Sequence, residues 1–176
     1  MIQGKNISLR AMEPDDVDIL FDWENDPLIW QVSNTYIPFS KHFLQQFIAN
    51  SNNDLFADRQ LRLMIVSRKS KTCIGTLDFF EFDPMHRRVG LGILVSEKYR
   101  KNGFASEAVL IASQYAFEIL NIHQIFVHVT TDNPASIKLF SNSGFVQTGI
   151  KKDWILSNNV WKDVCFMQHI HNNNKR

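Results

Sequence analysis

The chain lacks most of what would mark a specialised environment. Only two of its 176 residues are cysteine, and Cys73 and Cys165 each stand alone in a strand-like run. That spacing argues against a CxxC metal or redox site and points to buried, reduced thiols of the kind kept in the cytosol. Neither sign of charge dominates: 19 Lys and Arg face 18 Asp and Glu, for a formal net charge of +1. The basic residues are dispersed, so the electrostatic footprint that nucleic-acid binding requires is missing. The dense cluster Arg68-Lys69-Ser70-Lys71 lies between two apolar runs and reads as a solvated hairpin turn. No long acidic run is present to attract polycations. No apolar run is long enough to span a bilayer, and the N-terminus enters an alternating pattern without the apolar core of a signal peptide. Repeats and low-complexity linkers are absent too. His169 and His171 lie near the tail and make no metal constellation. The expectation is a cytoplasmic protein with no nucleic-acid or membrane partner and no metal.

What is present suits one globular domain. With 44% hydrophobic and 21% charged residues, residues 1–170 can bury a substantial core, and the polar residues 171–176 read as a frayed tail. Ile7, Leu9 and Ala11 alternate as a first strand. Glu13-Pro14-Asp15-Asp16 stops it and opens a helix with Val17, Leu20, Phe21 and Trp23 on its buried face, ended by Asn25-Asp26-Pro27. The segment Leu28 to Phe39 is aromatic and irregular. Ser40 is placed to cap a second helix using Phe43, Leu44, Phe47 and Ile48. Leu61 to Ser67, Cys73 to Phe82 and His86 to Val95 then read as an antiparallel meander. The spacing of Ala105, Ala108, Val109, Ala112, Tyr115, Ala116 and Ile119 predicts a helix. Gln124 to Thr130 is a further strand. Asn133-Pro134 opens a short helix that closes at Ser143-Gly144, and Phe145 to Leu156 with Val160 to Ile170 form a final hairpin.

Between the meander and the long helix lies Arg100-Lys-Asn-Gly-Phe-Ala105. A helix N-terminus offers unpartnered amides and partial positive charge, which suits an anion such as pyrophosphate. Gly103 permits close approach or a positive φ, Ala105 keeps the entrance narrow, and Arg100 and Lys101 add charge. An ordinary βα turn has the same short pattern.

The element order β-α-α-β-β-β-α-β-α-β-β, with this Arg-x-x-Gly-x-Ala loop after the fourth strand, resembles the GCN5-related N-acetyltransferase (GNAT) family over essentially the whole chain. Asn133-Pro-Ala-Ser-Ile-Lys-Leu-Phe-Ser-Asn-Ser-Gly-Phe145 resembles a second family segment. The likeness is strongest to the spermidine and ribosomal-protein N-acetyltransferase branches, through Gly75 to Ala105 and Asn121 to Val129. The resemblance implies an α+β fold with a mixed sheet in which the fourth and fifth predicted strands splay. Acetyl-CoA would lie along Ile93, Leu94 and Val95, with its pyrophosphate on the amides of Arg100, Lys101, Asn102, Gly103, Phe104, Ala105 and Ser106. Asn133 would touch the arm from the other side, and Lys138 would lie near the nucleotide.

The implied reaction is direct attack of a primary amine on the thioester. An amine of pKa about 10.4 is about one part in a thousand neutral at pH 7, so a base is needed. Glu81 matches an acidic position in the spermidine-type pattern and is the carboxylate candidate; His86 and His128 are others. The family's usual acid, a tyrosine, is replaced by Phe140, which cannot donate. A thiol of pKa about 8.5 leaves tolerably without protonation, so the expectation is a slower enzyme, or one using water, Ser136 or Ser141, with Phe140 packing the core. Acids expected around a polyamine site are replaced by Ser33-Asn34, Gly90 and Lys151-Lys152, while Glu24, Asp78, Glu81 and Asp83 remain. A polyamine, another small amine and a protein N-terminal amine all stay open as acceptors. Trp23, Trp30, Trp154 and Trp161 suit the acceptor mouth, the core or a dimer surface; the final hairpin and Leu28 to Phe39 are where a homodimer would form. A non-catalytic acyl-CoA-binding module is the alternative, resting on Phe140 and the missing acids.

Overall fold

The computed structural model describes residues 1–33, 37–52 and 54–171. Eight strands form one sheet: β1 (Ile2–Gln3), β2 (Ile7–Ala11), β3 (Leu61–Ser67), β4 (Cys73–Asp83), β5 (Arg88–Val95), β6 (Gln124–Thr130), β7 (Val146–Ser157) and β8 (Val160–Ile170). Six α-helices connect them: α1 (Val17–Glu24), α2 (Pro27–Ser33), α3 (Lys41–Asn50), α4 (Leu55–Asp58), α5 (Phe104–Gln114) and α6 (Pro134–Asn142). The spatial order is β1-β2-β3-β4-β5-β6-β8-β7. Every neighbouring pair is antiparallel except β5 and β6, which α5 joins in parallel.

Strand alternation sends two apolar sets to opposite faces. Leu9, Leu63, Leu77, Val89, Leu91, Ile125 and Val127 pack with Ala108, Val109 and Ala112 of α5 and Phe140 of α6. The small residues on α5 let the helix sit close to the sheet. On the other face, Met64 packs with Met12, Leu20, Trp23, Leu44 and Ile48 from the α1–α3 layer. Burying these apolar surfaces is the main favourable term in folding. No helix among the described residues is long and apolar enough to cross a membrane.

Several expectations need correction. The sheet gains β1, a two-residue edge too short to show alternation. Asn25-Asp26-Pro27 does end α1, but the Asp26 carboxylate accepts from the Leu28 amide at 2.9 Å and starts α2 at once. Asp54 caps the one-turn α4 by accepting from the Phe56 amide at 2.8 Å. Strand β5 begins at Arg88, because the His86 amide is turned onto the Asp83 carboxylate at 3.0 Å. Ser40 caps α3 through the Phe43 amide at 3.1 Å, yet the Phe43 side chain faces outward. Ile119 is 70% exposed, because Tyr115–Ile119 winds as a π turn and its extra residue per turn rotates Ile119 off the buried stripe. Trp23 belongs to the core, whereas Trp154 and Trp161 are exposed. The hairpin turn between β7 and β8 places Asn158 and Asn159 at φ 51 and 59, the left-handed geometry that asparagine tolerates. His171 is not frayed: its amide donates to the His123 carbonyl at 2.8 Å and its ring stacks on Phe117. Residues 172–176 lie outside the described residues.

The two cysteines are free. Cys73 lies against an ion pair that closes the β2–α1 connection. Arg10 grips Asp16 through two hydrogen bonds of 2.6 and 2.8 Å, and the Glu13 amide adds a third at 2.8 Å. Burial pushes the Asp16 carboxyl up, but Arg10 and the Glu13 amide outweigh it and hold it below its ordinary value. A depressed carboxylate stabilises the fold at neutral pH and loses that contribution as pH falls through its folded value. Asp16→Asn is therefore expected to cost about 3 kcal/mol at pH 7, as removal of one partner of a buried pair does. Urea unfolding at pH 7 and pH 3 will show the difference from wild type shrinking in acid.

Candidate active site

The parallel pairing of β5 with β6 is brief. Arg88 pairs with Gln124, Val89 with Ile125 and Gly90 with Phe126, and there it stops. Beyond that point β5 stays bonded to β4 as far as Val95 opposite Gly75, and β6 stays bonded to β8 as far as Thr130 opposite Val164. The facing edges, Leu91 to Val95 and Val127 to Thr130, are unpaired with each other. An open edge presents backbone donors and acceptors to an extended ligand. Ile93 and Val95 pack toward α5 and Leu94 toward the α1–α3 layer, so the backbone between them is left to face the gap.

Both connections leaving this gap lead into helix N-termini. After β5, the chain turns through Glu97–Tyr99 and the Arg100 Nε donates to the Val95 carbonyl at 2.9 Å. Asn102 Nδ2 donates to the Tyr99 and Arg100 carbonyls at 3.2 and 3.0 Å, bracing the loop. Gly103 caps α5 at φ 80, a conformation that disfavours a side chain. The first amides of α5, at Phe104, Ala105 and Ser106, have no intrahelical acceptor. After β6, the Asn133 amide donates to the Thr130 carbonyl at 3.0 Å, and its side-chain oxygen accepts from the Ser136 amide at 3.1 Å. Ligands in sheets of this type bind beyond the carboxyl ends of parallel strands. Ile93, Leu94, Val95, the 100–106 loop and Asn133 thus all lie at or just beyond the carboxyl ends of β5 and β6, where the two strands are unpaired. Lys138 lies exposed further along α6.

Phe140 points into the core, 4% exposed, with its ring 5.2 Å from that of Phe145. Packing alone accounts for it. Ser136 is half-buried and Ser141 exposed.

The sheet face opposite α5 carries a different chemistry. Gly90 and Gly92 make room there for the Phe80 ring, which covers buried Gly90 so closely that a Cβ would stand 2.4 Å from it, while Gly92 is half-buried. Glu81 is exposed on a bulge of β4 at φ 49. Phe126, His128 and Phe166 form a ring cluster beside it, with centroids 5.4–5.8 Å apart. Lys151 Nζ reaches over this cluster to within 3.4 Å of His128 Nε2.

The sequence did not disclose how the acids there are occupied. Arg62 Nε donates to Asp78 at 2.6 Å and Nη1 donates to Glu24. Burial opposes the Arg62 charge, but the two carboxylates outweigh burial and keep it protonated. Asp83 pairs with Arg88 at 3.0 Å. Of the four acids expected to face an acceptor, only Glu81 has no ion-pair partner among the described residues. Asn34 lies outside the described residues. Three or more His, Cys, Asp or Glu side chains arranged to hold a metal are not found among the described residues.

Comparison with known proteins assigns the family. Residues 6–146 match the acetyltransferase (GNAT) domain. The chain belongs to the GNAT family. It is 27% identical to the spermidine N(1)-acetyltransferase of Vibrio cholerae over 163 residues, 92% of this chain and 91% of that one. It is 30% identical to the N-acetyltransferase p20 of Bacillus licheniformis over 151 residues, 85% and 84% of the two chains. The crystal structure of the Vibrio cholerae spermidine N-acetyltransferase with CoA and spermine superposes with a TM-score of 0.85 at 25% identity, covering 94% and 95%. This GNAT protein is an N-acetyltransferase that uses acetyl-CoA to acylate an amine, and its open edge and helix N-termini fit an extended arm ending in a pyrophosphate.

Gly103 gives a direct test of the loop. Gly103→Ala forces a side chain into left-handed backbone, at about 1–2 kcal/mol. Calorimetric titration with acetyl-CoA is expected to show weaker binding by a comparable free energy; unchanged affinity would remove the loop from the site.

Proposed function

We propose that this enzyme acetylates a small primary amine carrying less positive charge than a polyamine, by direct attack with both substrates bound. The observation that carries the reading is Arg62. By engaging both Glu24 and Asp78, it occupies two carboxylates and halves their charge on the face where a polycation would need them. With Asp83 held by Arg88 and Lys151 reaching over the same face, Glu81 is the one of these four acids without an ion-pair partner among the described residues. Coulombic attraction for a multiply charged chain is correspondingly small.

In this reading the acetyl donor lies along Ile93, Leu94 and Val95 and supplies the activated acyl group. The amides from Arg100 to Ser106 hold its pyrophosphate, Asn133 faces its arm and Lys138 stands near its nucleotide end. The amine enters from the opposite face, past Phe80 and Gly92, where Glu81 attracts its ammonium. With Phe140 lacking a hydroxyl, the sulfur departs as thiolate and takes its proton from the new amide nitrogen or from solvent. Free thiols and a soluble donor support a cytoplasmic setting for this chemistry.

Thiol release from acetyl-CoA, measured against monoamines, amino acids, short peptides, spermidine and spermine, tests the assignment. Singly charged amines are expected to exceed spermidine in kcat/KM by about tenfold, the factor that 1.4 kcal/mol of lost attraction gives. Spermidine or spermine ranking first would contradict the proposal. Release with no acceptor at all, in protein that binds acetyl-CoA, would instead favour an acyl-CoA-binding module.

A further inference from the structure

We propose that His128 is the general base of the transfer, acting through Nε2, and that Lys151 marks the place where the acceptor ammonium binds. The inference rests on the acetyltransfer reading above and assigns a residue within the same site.

Position comes first. His128 stands two residues beyond Phe126, the last residue of β6 to pair with β5, so it lies where the strands have parted. Its neighbours Val127 and Val129 point into the core beneath α5, which leaves His128 on the acceptor face. Phe126 and Phe166 flank its ring at 5.5 and 5.4 Å. The ring nitrogen Nε2 is 3.4 Å from Lys151 Nζ, and that ammonium also lies 4.3 Å over the Trp154 ring and 5.7 Å from Phe166. The protein has therefore built a seat for a primary ammonium from two aromatic faces and a nitrogen lone pair, and it fills the seat with its own lysine. An acceptor amine presents the same group, attracted by the same cation–π and hydrogen-bond terms.

The surroundings also set the protonation state. Partial burial against the rings pushes His128 below the ordinary histidine value, Lys151 on β7 pushes the same way, and Glu81 on β4 opposes them. No other charged group acts on it from β8 or from its own strand among the described residues. The imidazole is thus neutral at pH 7 and able to accept. The acceptor ammonium displaces Lys151 and gives one proton to Nε2. Its freed lone pair forms the C–N bond, the C–S bond breaks, and the electron pair leaves with sulfur. The second proton on nitrogen passes to the thiolate or solvent, and His128 returns its proton to water.

The test is the pH profile of kcat/KM for the amine at saturating acetyl-CoA, which reports the enzyme before the amine displaces Lys151. Wild type is expected to lose activity in acid with a limb below the ordinary histidine value of about 6.5. His128→Gln is expected to lower kcat by about a hundredfold and abolish that limb, with calorimetric affinity for acetyl-CoA unchanged. Lys151→Met removes the cation, so the limb is expected to move to higher pH, a shift that a packing role for either residue would not produce. Persistence of the limb in His128→Gln, or a limb that stays in place in Lys151→Met, overturns the assignment. Wild type that binds acetyl-CoA yet shows no amine-dependent thiol release overturns the acetyltransfer reading itself, and His128 with it.

Discussion

Everything in the site depends on where one ladder of hydrogen bonds stops. Strands β5 and β6 are the sheet's parallel pair, and they stay together only from Arg88 to Gly90. Each then remains bonded on its outer side, β5 to β4 and β6 to β8, so neither strand unravels when the two separate. The outer ladders hold the edges rigid and the inner edges stay open. An unpaired strand edge is ordinarily a liability; here it lies in the interior of an eight-stranded sheet, out of reach of another sheet edge and within reach of an extended ligand.

The two faces of the sheet divide the chemistry around that opening. Toward α5 and α6 lie small and apolar residues, with helix N-termini at the mouth of the gap, which is an environment for a phosphate-bearing donor. Toward the other face, Phe80 lies over Gly90, and Phe126, His128 and Phe166 continue the aromatic surface. Arg62 binds two carboxylates that would otherwise give this face a strong negative potential. In the proposed reading, a donor and an acceptor approaching from opposite sides meet where the strands diverge. Phe140 sits in the core on the α5–α6 side, its ring against Phe145.

The sheet and the donor loop were legible because their signals are local. The apolar runs Leu61–Ser67 and Arg88–Val95 mark strands locally, and Gly103 at a helix entrance suits the positive φ that the structure shows at 80°. The acceptor face was not legible, because its contacts join residues far apart in sequence. Arg62 meets Glu24 and Asp78 across separations of 38 and 16 residues. Lys151 reaches His128 only because β8 inserts between β6 and β7, an order that hairpin spacing does not reveal. Counting Glu24 and Asp78 as available acids was reasonable from composition and is corrected by their shared partner. Ile119 was misplaced for a different reason: helical periodicity assumes 3.6 residues per turn, and the π turn at Tyr115–Ile119 breaks that assumption.

Backbone amide hydrogen exchange with and without acetyl-CoA tests the parted-strand account most directly. The account predicts new protection in residues 91–95 and 101–106, where the open edge of β5 and the loop amides gain acceptors, with little change in β2 and β3. Protection confined to other parts of the sheet, or none in these two segments under saturating acetyl-CoA, would contradict it.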